Sequence, residues 1–347
     1  MATEDPGPPG SEVPGPSDVA EAADVAEAAG LAEGTDARGI MPLALRVSPE
    51  CDGWRLDHFL KQRIRRMSRT KICTVIASQV RLSSGKKPRP ALIVRTGDTI
   101  HIDRPAPIEP EVPRHFEILA EDEYFMAIDK PAGLPMHTTA KFWKNTLVAL
   151  LRERYPDERL QICHRIDRET SGVLLIARAH DAASFLKRAF ALRAIKKTYL
   201  ALVHGIPTQA EGVIDAPMRL VESKTHLLMG IESDGLPAVT RYRVQQTFAN
   251  HALIEASPET GRQHQIRVHL AFLGHPIVGD KLYGASEQAF MDYCDSGMTP
   301  ELLALFDGFP RHALHATRLI FPHPKTGELI TVESPLPADI RGYMKDL

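Results

Sequence analysis

At 347 residues, with 43% hydrophobic and 25% charged side chains, the chain has the composition of an average soluble globular protein and enough length for a catalytic domain plus one small module. No run approaches the roughly 18 consecutive apolar residues of a membrane span, and the opening Met-Ala-Thr-Glu-Asp lacks the basic and apolar regions of a secretory leader, so a cytoplasmic protein is expected. The formal charge of -2 hides an asymmetry: residues 1–38 hold nine acids and one Arg, leaving 41 Lys and Arg against 35 Asp and Glu, a net of +6, in the remainder.

Residues 1–40 are Ala, Glu, Gly and Pro with almost no aromatic or β-branched content, which predicts a disordered acidic tail that buries too little apolar surface to offset ordering entropy. A short Ala-rich helix over 19–29 would be marginal on its own.

From Trp54 the pattern is helical, with Leu56, Phe59, Leu60 and Ile64 on one stripe, and Ser68 is a good N-cap for a second helix carrying Ile72, Val75 and Ile76. Val80-Arg-Leu reads as a strand, Ser83-Ser-Gly85 as a turn, and Leu92-Ile-Val leads through Gly97-Asp98 to Ile100-His-Ile. Between Trp54 and Arg104 there are 13 Lys or Arg and three acids, Asp57, Asp98 and Asp103, which is the electrostatic footprint of a polyanion partner.

The order of these pieces (Arg55-Leu-Asp-x-Phe-Leu, Ser68-Arg69, Ile76, Val80 and Val94-x-x-Gly-Asp-x-Ile100) resembles the small RNA-binding module of ribosomal protein S-four. That resemblance implies a module over 41–104 that contacts RNA through Arg66, Arg69, Lys71, Lys86 and Lys87. The turn reads Ser-Ser-Gly-Lys-Lys where the family has Asn-Gly. Pro105, Pro107, Pro110 and Pro113 then predict a semi-rigid linker over 105–115.

A catalytic domain is expected over 116–347. Tyr124 to Asp129, Val173 to Ala177, Tyr199 to Val203 and Ala252 to Ala256 read as strands, and Asp181 as the cap of a helix carrying Ala182, Phe185, Leu186, Ala189 and Phe190. Strands in excess of helices at irregular spacing favour a mixed α+β fold over a doubly wound one. His164-Arg-Ile-Asp-Arg-Glu-Thr-Ser-Gly172 places dense charge directly before an apolar strand, which calls for a functional reason. Thr260 to Gly274 reads as a helix starting near Thr260, with Gln263, Arg267 and Leu270 on one face. Its histidines, His264, His269 and His275, lack the spacing of a zinc helix, so no metal is expected. The cysteines, Cys51, Cys73, Cys163 and Cys294, form no Cys-x-x-Cys pair and predict buried small hydrophobes.

Over roughly residues 116 to 324 the chain resembles the RluA-type pseudouridine synthases. The resemblance rests on Lys130-Pro-x-Gly133, the His164 to Gly172 segment, Lys197-Thr-Tyr-Leu-Ala-Leu-Val203, Thr260-Gly-Arg-x-His-Gln-Ile-Arg-Val-His-Leu270, Gly274-His-Pro-Ile-Val-Gly-Asp-x-x-Tyr-Gly284 and Leu314-His-Ala316. It implies an α+β catalytic domain with a largely antiparallel sheet, Asp167 as nucleophile, Tyr199 as the aromatic that stacks on the target base and takes its proton, and Arg267 as the cation paired with Asp167. It also implies substrate contacts from Arg165, which fills the space of a flipped base, and from His164, Thr170 and Leu270, with a structural or supporting role for Lys130.

The chemistry agrees with those roles. Moving a glycosidic bond from nitrogen 1 to carbon 5 of uracil without losing the base calls for a carboxylate nucleophile in a dry pocket, kept ionised by an adjacent Arg. Extruding the uridine costs roughly a few kcal/mol, which RNA contacts elsewhere offset. No cofactor is expected, since the reaction is redox-neutral and no Gly-x-x-x-x-Gly-Lys loop is present. The partner expected is ribosomal or transfer RNA, with ribosomal RNA favoured, and the protein is expected to be a monomer. Two other readings stand beside this one: a non-catalytic RNA-binding or ribosome-assembly protein that keeps the fold, and a thiol hydrolase built on Cys163 and His164, whose adjacent side chains would point to opposite faces.

Overall fold

The computed structural model describes residues 40–64, 67–105, 109–139, 142–225 and 227–347, in two compact units that divide after residue 108. The acidic tail and its short helix lie outside the described residues except for Ile40.

The first unit runs β1 (Ile40–Arg46), α1 (Leu56–Arg63), α2 (Arg69–Gln79), β2 (Val80–Leu82) and β3 (Thr99–Pro105). Both helices fall where the apolar stripe and cap predict them, and Ser68 Oγ accepts from the Lys71 N–H at 3.3 Å. Leu56, Phe59, Leu60, Ile72 and Ile76 form the core with Ile100 and Ile102. The sheet order is β1-β3-β2, antiparallel throughout. β1 is an addition to the expected hairpin: Leu43 faces the core, and the strand pairs with β3 along its whole length. Leu92 to Val94 is not a regular strand; it forms one isolated bridge, Ile93 to Arg55, exchanges backbone hydrogen bonds with residues 53–56, and buries Val94 in the core.

Residues 109–115 have no regular structure, but they belong to the second unit and are no free spacer. The Glu109 carboxylate accepts from the N–H groups of Trp143, Lys144 and Asn145 at 2.6, 2.9 and 2.8 Å, and Asn145 Nδ2 donates to the Pro110 carbonyl.

The second unit continues with β4 (Glu117–Glu121), β5 (Phe125–Lys130), α3 (Leu147–Arg154), β6 (Gln161–Ile162), β7 (Ser171–Ala177), α4 (His180–Ala191), β8 (Lys196–His204) and β9 (Glu211–Asp215). A small hairpin follows, β10 (Met218–Leu220) with β11 (Met229–Ile231), and then β12 (Val239–Thr247), β13 (His251–Pro258), α5 (Gln265–Phe272), α6 (Glu287–Ser296), α7 (Pro300–Leu305), β14 (Leu314–Pro322), β15 (Leu329–Glu333) and α8 (Ala338–Lys345). The main sheet runs β4-β5-β7-β14-β8-β13-β12-β9, with β15 added to β14 and β6 to β7. Its one parallel pair among the described residues is β7 with β14, so the fold is α+β with a largely antiparallel sheet.

β7 is buried on both faces, which explains its unbroken apolar run. Val173, Leu175 and Ala177 pack with Ala182, Leu186 and Ala189 of α4, whereas Leu174 and Ile176 pack with Leu147, Leu150 and Leu151 of α3. Gly172 permits the β7–β14 contact: its φ is +111°, and a Cβ there would lie 2.2 Å from the Ala316 carbonyl oxygen. This close approach anchors the charged loop that precedes β7.

Two helix boundaries differ from expectation. The N-cap of α4 is Ala179, and Asp181 sits in the first turn, where its carboxylate accepts from the Ala182 N–H and favours the positive end of the helix. The helix expected from Thr260 begins at Gln265. The Gln265 amide explains the delay: its oxygen accepts from Thr260 Oγ1 at 2.6 Å and the Arg262 N–H at 3.0 Å, and its nitrogen donates to the Val239 carbonyl and Thr240 Oγ1, which pins residues 260–264 as a loop. Gln263 therefore shares no helical face with Arg267. Among the described residues no helix is long and apolar enough to cross a membrane.

Candidate active site

Asp167 lies on the loop between β6 and β7, two segments that pair with each other, so both ends of the loop are fixed. The Thr170 N–H closes a turn onto the Asp167 carbonyl at 3.1 Å. Lys130 braces the loop from below: its buried ammonium donates to the carbonyls of Pro131, Leu134 and Arg168 at 2.8, 3.0 and 3.1 Å. Burial lowers the Lys130 pKa to about 7. Three carbonyl acceptors around three ammonium hydrogens suit the charged form.

Arg267 reaches Asp167 from α5, Nη1 donating to Oδ2 at 3.0 Å. The same guanidinium binds Asp280 in bidentate fashion, Nε to Oδ2 at 2.7 Å and Nη2 to Oδ1 at 2.8 Å. The Asp280 carboxylate is fully buried and also accepts the N–H groups of Leu282 and Tyr283. The Tyr283 ring lies under the Arg267 guanidinium, 5.1 Å from centroid to Cζ. Gly279 allows the turn that delivers Asp280: its φ is +71°, and a Cβ would lie 2.1 Å from the Arg311 carbonyl oxygen.

Burial works to raise the Asp167 carboxyl, and the surrounding groups outweigh it, His264 first and then Arg267, leaving it at about 2. His264 and His312 are themselves held low by burial, at about 4 and about 3, and are uncharged at neutral pH. Arg267 is therefore the cation that keeps Asp167 ionised there. Tyr199, on β8 between Ala256 of β13 and Ala316 of β14, is buried in the same core as Ile166. Burial and then the Asp167 charge push its hydroxyl well above the usual phenol range.

Of the residues singled out in the sequence, Asp167, Tyr199 and Arg267 converge. Arg165 is exposed, and its charge opposes protonation of both His137 and His264. Three other residues singled out as substrate contacts have partners inside the fold. His164 Nε2 accepts from the Leu175 N–H at 3.0 Å and its ring lies against Phe190, so it braces β7 against α4. Thr170 Oγ1 is buried against His312 Nε2 at 2.8 Å, and Leu270 has no exposed surface in the main core. The three histidines of the 260–275 segment have separate partners: Tyr283 for His264, Thr240 and the Ala216 carbonyl for His269, and the His204 carbonyl for His275.

Sequence reasoning gave no role to Asp280 or Tyr283, although both sit in the quoted Gly274 to Gly284 motif. It also missed the charge cluster beside Asp167, where Lys281 Nζ meets Glu169 at 2.7 Å and Arg168 Nη2 meets Glu169 and Tyr293 at 3.1 and 2.8 Å. In the first unit Arg69, Lys71, Lys86 and Lys87 are exposed, and Arg66 lies outside the described residues. The acids among them have their own partners: Asp57 pairs with Arg55 at 2.9 Å and more loosely with Arg69 at 3.7 Å, and Asp103 pairs with Arg81 at 2.7 Å.

Residues 124–272 match the RNA pseudouridylate synthase family. A protein of Xanthomonas campestris pv. campestris named ribosomal large subunit pseudouridine synthase D is 37% identical over 312 residues, covering 87% of this chain and 91% of its own. The chain belongs to this family. A Zymomonas mobilis protein of the same name is also 37% identical to the synthase, covering 87% of it and 96% of the relative. Among solved structures, human RNA pseudouridylate synthase domain containing 1 and domain containing 4 are each 29% identical, with a TM-score of 0.52 over 66% of the synthase and 86% and 92% of their own chains. The matched segment includes Asp167, Tyr199 and Arg267 and stops short of Asp280 and Tyr283.

Proposed function

We propose that the synthase isomerises uridine in large-subunit ribosomal RNA with Asp167 as the nucleophile. The observation that carries this reading is the half-buried Asp167 carboxylate, bonded at 3.0 Å to an Arg267 that is itself locked on buried Asp280. An ionised carboxylate in a partly closed site suits attack on a flipped-out nucleotide. The reaction breaks the bond from nitrogen 1 to the ribose and makes one from carbon 5; nitrogen 1 ends with a proton and carbon 5 loses one. Nothing is oxidised, so the chemistry needs no cofactor.

In this reading Tyr199 contributes its ring, stacking on the base. With its hydroxyl pushed up it stays a phenol at neutral pH and is a poor acceptor for the carbon 5 proton. Exposed Arg165 fills the space left by the extruded base, and Lys130 holds the loop. The basic 41–104 module supplies the backbone contacts that offset extrusion. The relatives named for the large ribosomal subunit favour ribosomal over transfer RNA. The reading takes the synthase as a cytoplasmic monomer without an obligatory protein partner.

The test is pseudouridine mapping of total RNA from cells with wild-type protein, with none, and with Asp167→Ala at matched expression. Loss of the same ribosomal sites in both altered strains supports the reading. An unchanged map in the Asp167→Ala strain would make Asp167 structural.

A further inference from the structure

His264 is among the few described residues outside glycine with a left-handed backbone, φ 55° and ψ 15°, and it holds that conformation at the N-terminus of α5, beside the nucleophile. N-cap residues are ordinarily extended. A left-handed histidine persists where its surroundings hold it and is a frequent mark of functional sites.

What holds it is a chain of hydrogen bonds. Tyr283 Oη accepts from the Met229 N–H of β11 at 3.1 Å and lies 2.9 Å from His264 Nδ1. Oη keeps a second lone pair, so the contact alone fits either direction; the Asp167 carboxylate nearest Nε2 favours the neutral tautomer with its hydrogen on Nε2, in which the Tyr283 hydroxyl donates to Nδ1. Nε2 is the nitrogen that faces the nucleophile, 4.0 Å from Asp167 Oδ2. Arg267 Nη1 donates to the same oxygen. Oδ2 is thus the Asp167 oxygen nearest both Arg267 Nη1, at 3.0 Å, and His264 Nε2, at 4.0 Å.

We propose that His264 is a positioning residue for the nucleophile: its Nε2–H, oriented by Tyr283, joins Arg267 on Asp167 Oδ2 and leaves Oδ1 as the attacking atom. The 4.0 Å separation exceeds a hydrogen bond, and catalytic hydrogen bonds are commonly long before substrate enters and tighten in the complex. Because Met229 belongs to the small hairpin, the same chain ties the hairpin to the nucleophile. The proposal rests on the assignment of Asp167 as the nucleophile.

The experiment measures single-turnover pseudouridine formation and RNA affinity with an unmodified in vitro transcript of large-subunit ribosomal RNA, for wild type, Asp167→Ala, His264→Gly, His264→Asn, His264→Gln and Tyr283→Phe. Glycine and asparagine accept the left-handed backbone, so those variants should keep the fold, with a loss of stability no larger than one buried side chain and its hydrogen bond explain, while their rate falls on the order of 10- to 100-fold, the scale of a misplaced reacting group, with RNA affinity unchanged. His264→Gln, whose amide reaches as far as Nε2 and donates, should recover part of that rate. Tyr283→Phe, which leaves the imidazole without its orienting donor, should lose rate with the imidazole intact. Wild-type rates in His264→Gly and His264→Asn, or a rate loss fully accounted for by weaker RNA binding, would overturn the proposal. Activity in Asp167→Ala would instead overturn the nucleophile assignment on which it rests.

Discussion

Replacing Arg267 with Met separates what the buried cation does for stability from what it does for Asp167. Arg267 is 8% exposed, and its bidentate partner Asp280 is fully buried, so Arg267→Met leaves a desolvated carboxylate without a counter-ion. Breaking a buried pair from one side costs about 3–5 kcal/mol. For a unit of this size, at about 2–4 °C per kcal/mol, the melting temperature should fall by roughly 6–20 °C. Adding Asp280→Asn removes the stranded charge and keeps an Oδ1 that can accept from the N–H groups of Leu282 and Tyr283, now at 2.9 and 3.0 Å. The double variant should therefore regain most of the loss, because replacing both partners of a buried pair is often close to neutral. Activity should not return with stability. Asp167 still lacks the donor that orients it, and a displacement of about 1 Å at a reacting group can cost about 100-fold. Calorimetry and single-turnover pseudouridine formation on the same preparations decide the matter. An Arg267→Met protein that melts within 1 °C or so of wild type, or a double variant that regains activity, would refute the reasoning.

Charge reversal of Arg66, Arg69 and Lys71 to Glu should flatten the salt dependence of RNA binding by roughly 0.7 log units per lost single-strand phosphate contact, read from binding titrations at several salt concentrations; an unchanged slope removes the module from RNA binding. Acidification from pH 6.5 toward 5 should destabilise the protein, because His164, His264 and His312 are held at about 3, about 4 and about 3 when folded and near 6.5 when unfolded. The unfolded chain then binds up to three more protons, each worth about 1.4 kcal/mol per pH unit, so stability falls as pH falls through that window; a flat melting temperature from pH 6.5 to 5 would contradict it. Gly172→Ala should lower the melting temperature by roughly 2–12 °C from backbone strain of about 1–3 kcal/mol alone, and by more because of the clash with the Ala316 carbonyl; a protein of wild-type stability would show that β7 and β14 can separate freely.

What could be read in advance divides along physical lines. The helices of the first unit were legible because an apolar stripe and a serine cap act locally, within a turn or two of chain. β1 was not, because its partner β3 is about 60 residues away and its short alternating run follows directly on an acidic, low-complexity stretch. The start of α5 was misplaced for a similar reason: Thr260 looks like a cap, but its hydroxyl is taken by the Gln265 side chain in a network that includes Val239 and Thr240 of β12. At the site, motif resemblance brought Asp167, Tyr199 and Arg267 forward. His164, Thr170 and Leu270 share those motifs, and their partners inside the fold, Leu175 for His164 and His312 for Thr170, could not be read from spacing.

Asp280 shows why the omitted partner matters to the chemistry. A guanidinium offers a carboxylate its most favourable geometry as a two-pronged pair, and had Arg267 presented that pair to Asp167, both carboxylate oxygens would be engaged. Asp280 takes Nε and Nη2 for itself, which leaves Nη1 to make a one-point bond to Asp167 Oδ2. The cation thereby remains close enough to keep Asp167 ionised while one of its oxygens stays unclaimed by the guanidinium. A second carboxylate beside Asp167 would ordinarily raise its pKa. Here Asp280 is matched to the guanidinium and to two backbone N–H groups, so its charge is largely answered before it reaches Asp167. The fully buried acid sets how the cation is shared, and that sharing leaves Asp167 with an oxygen outside the salt bridge, as the role proposed for it requires.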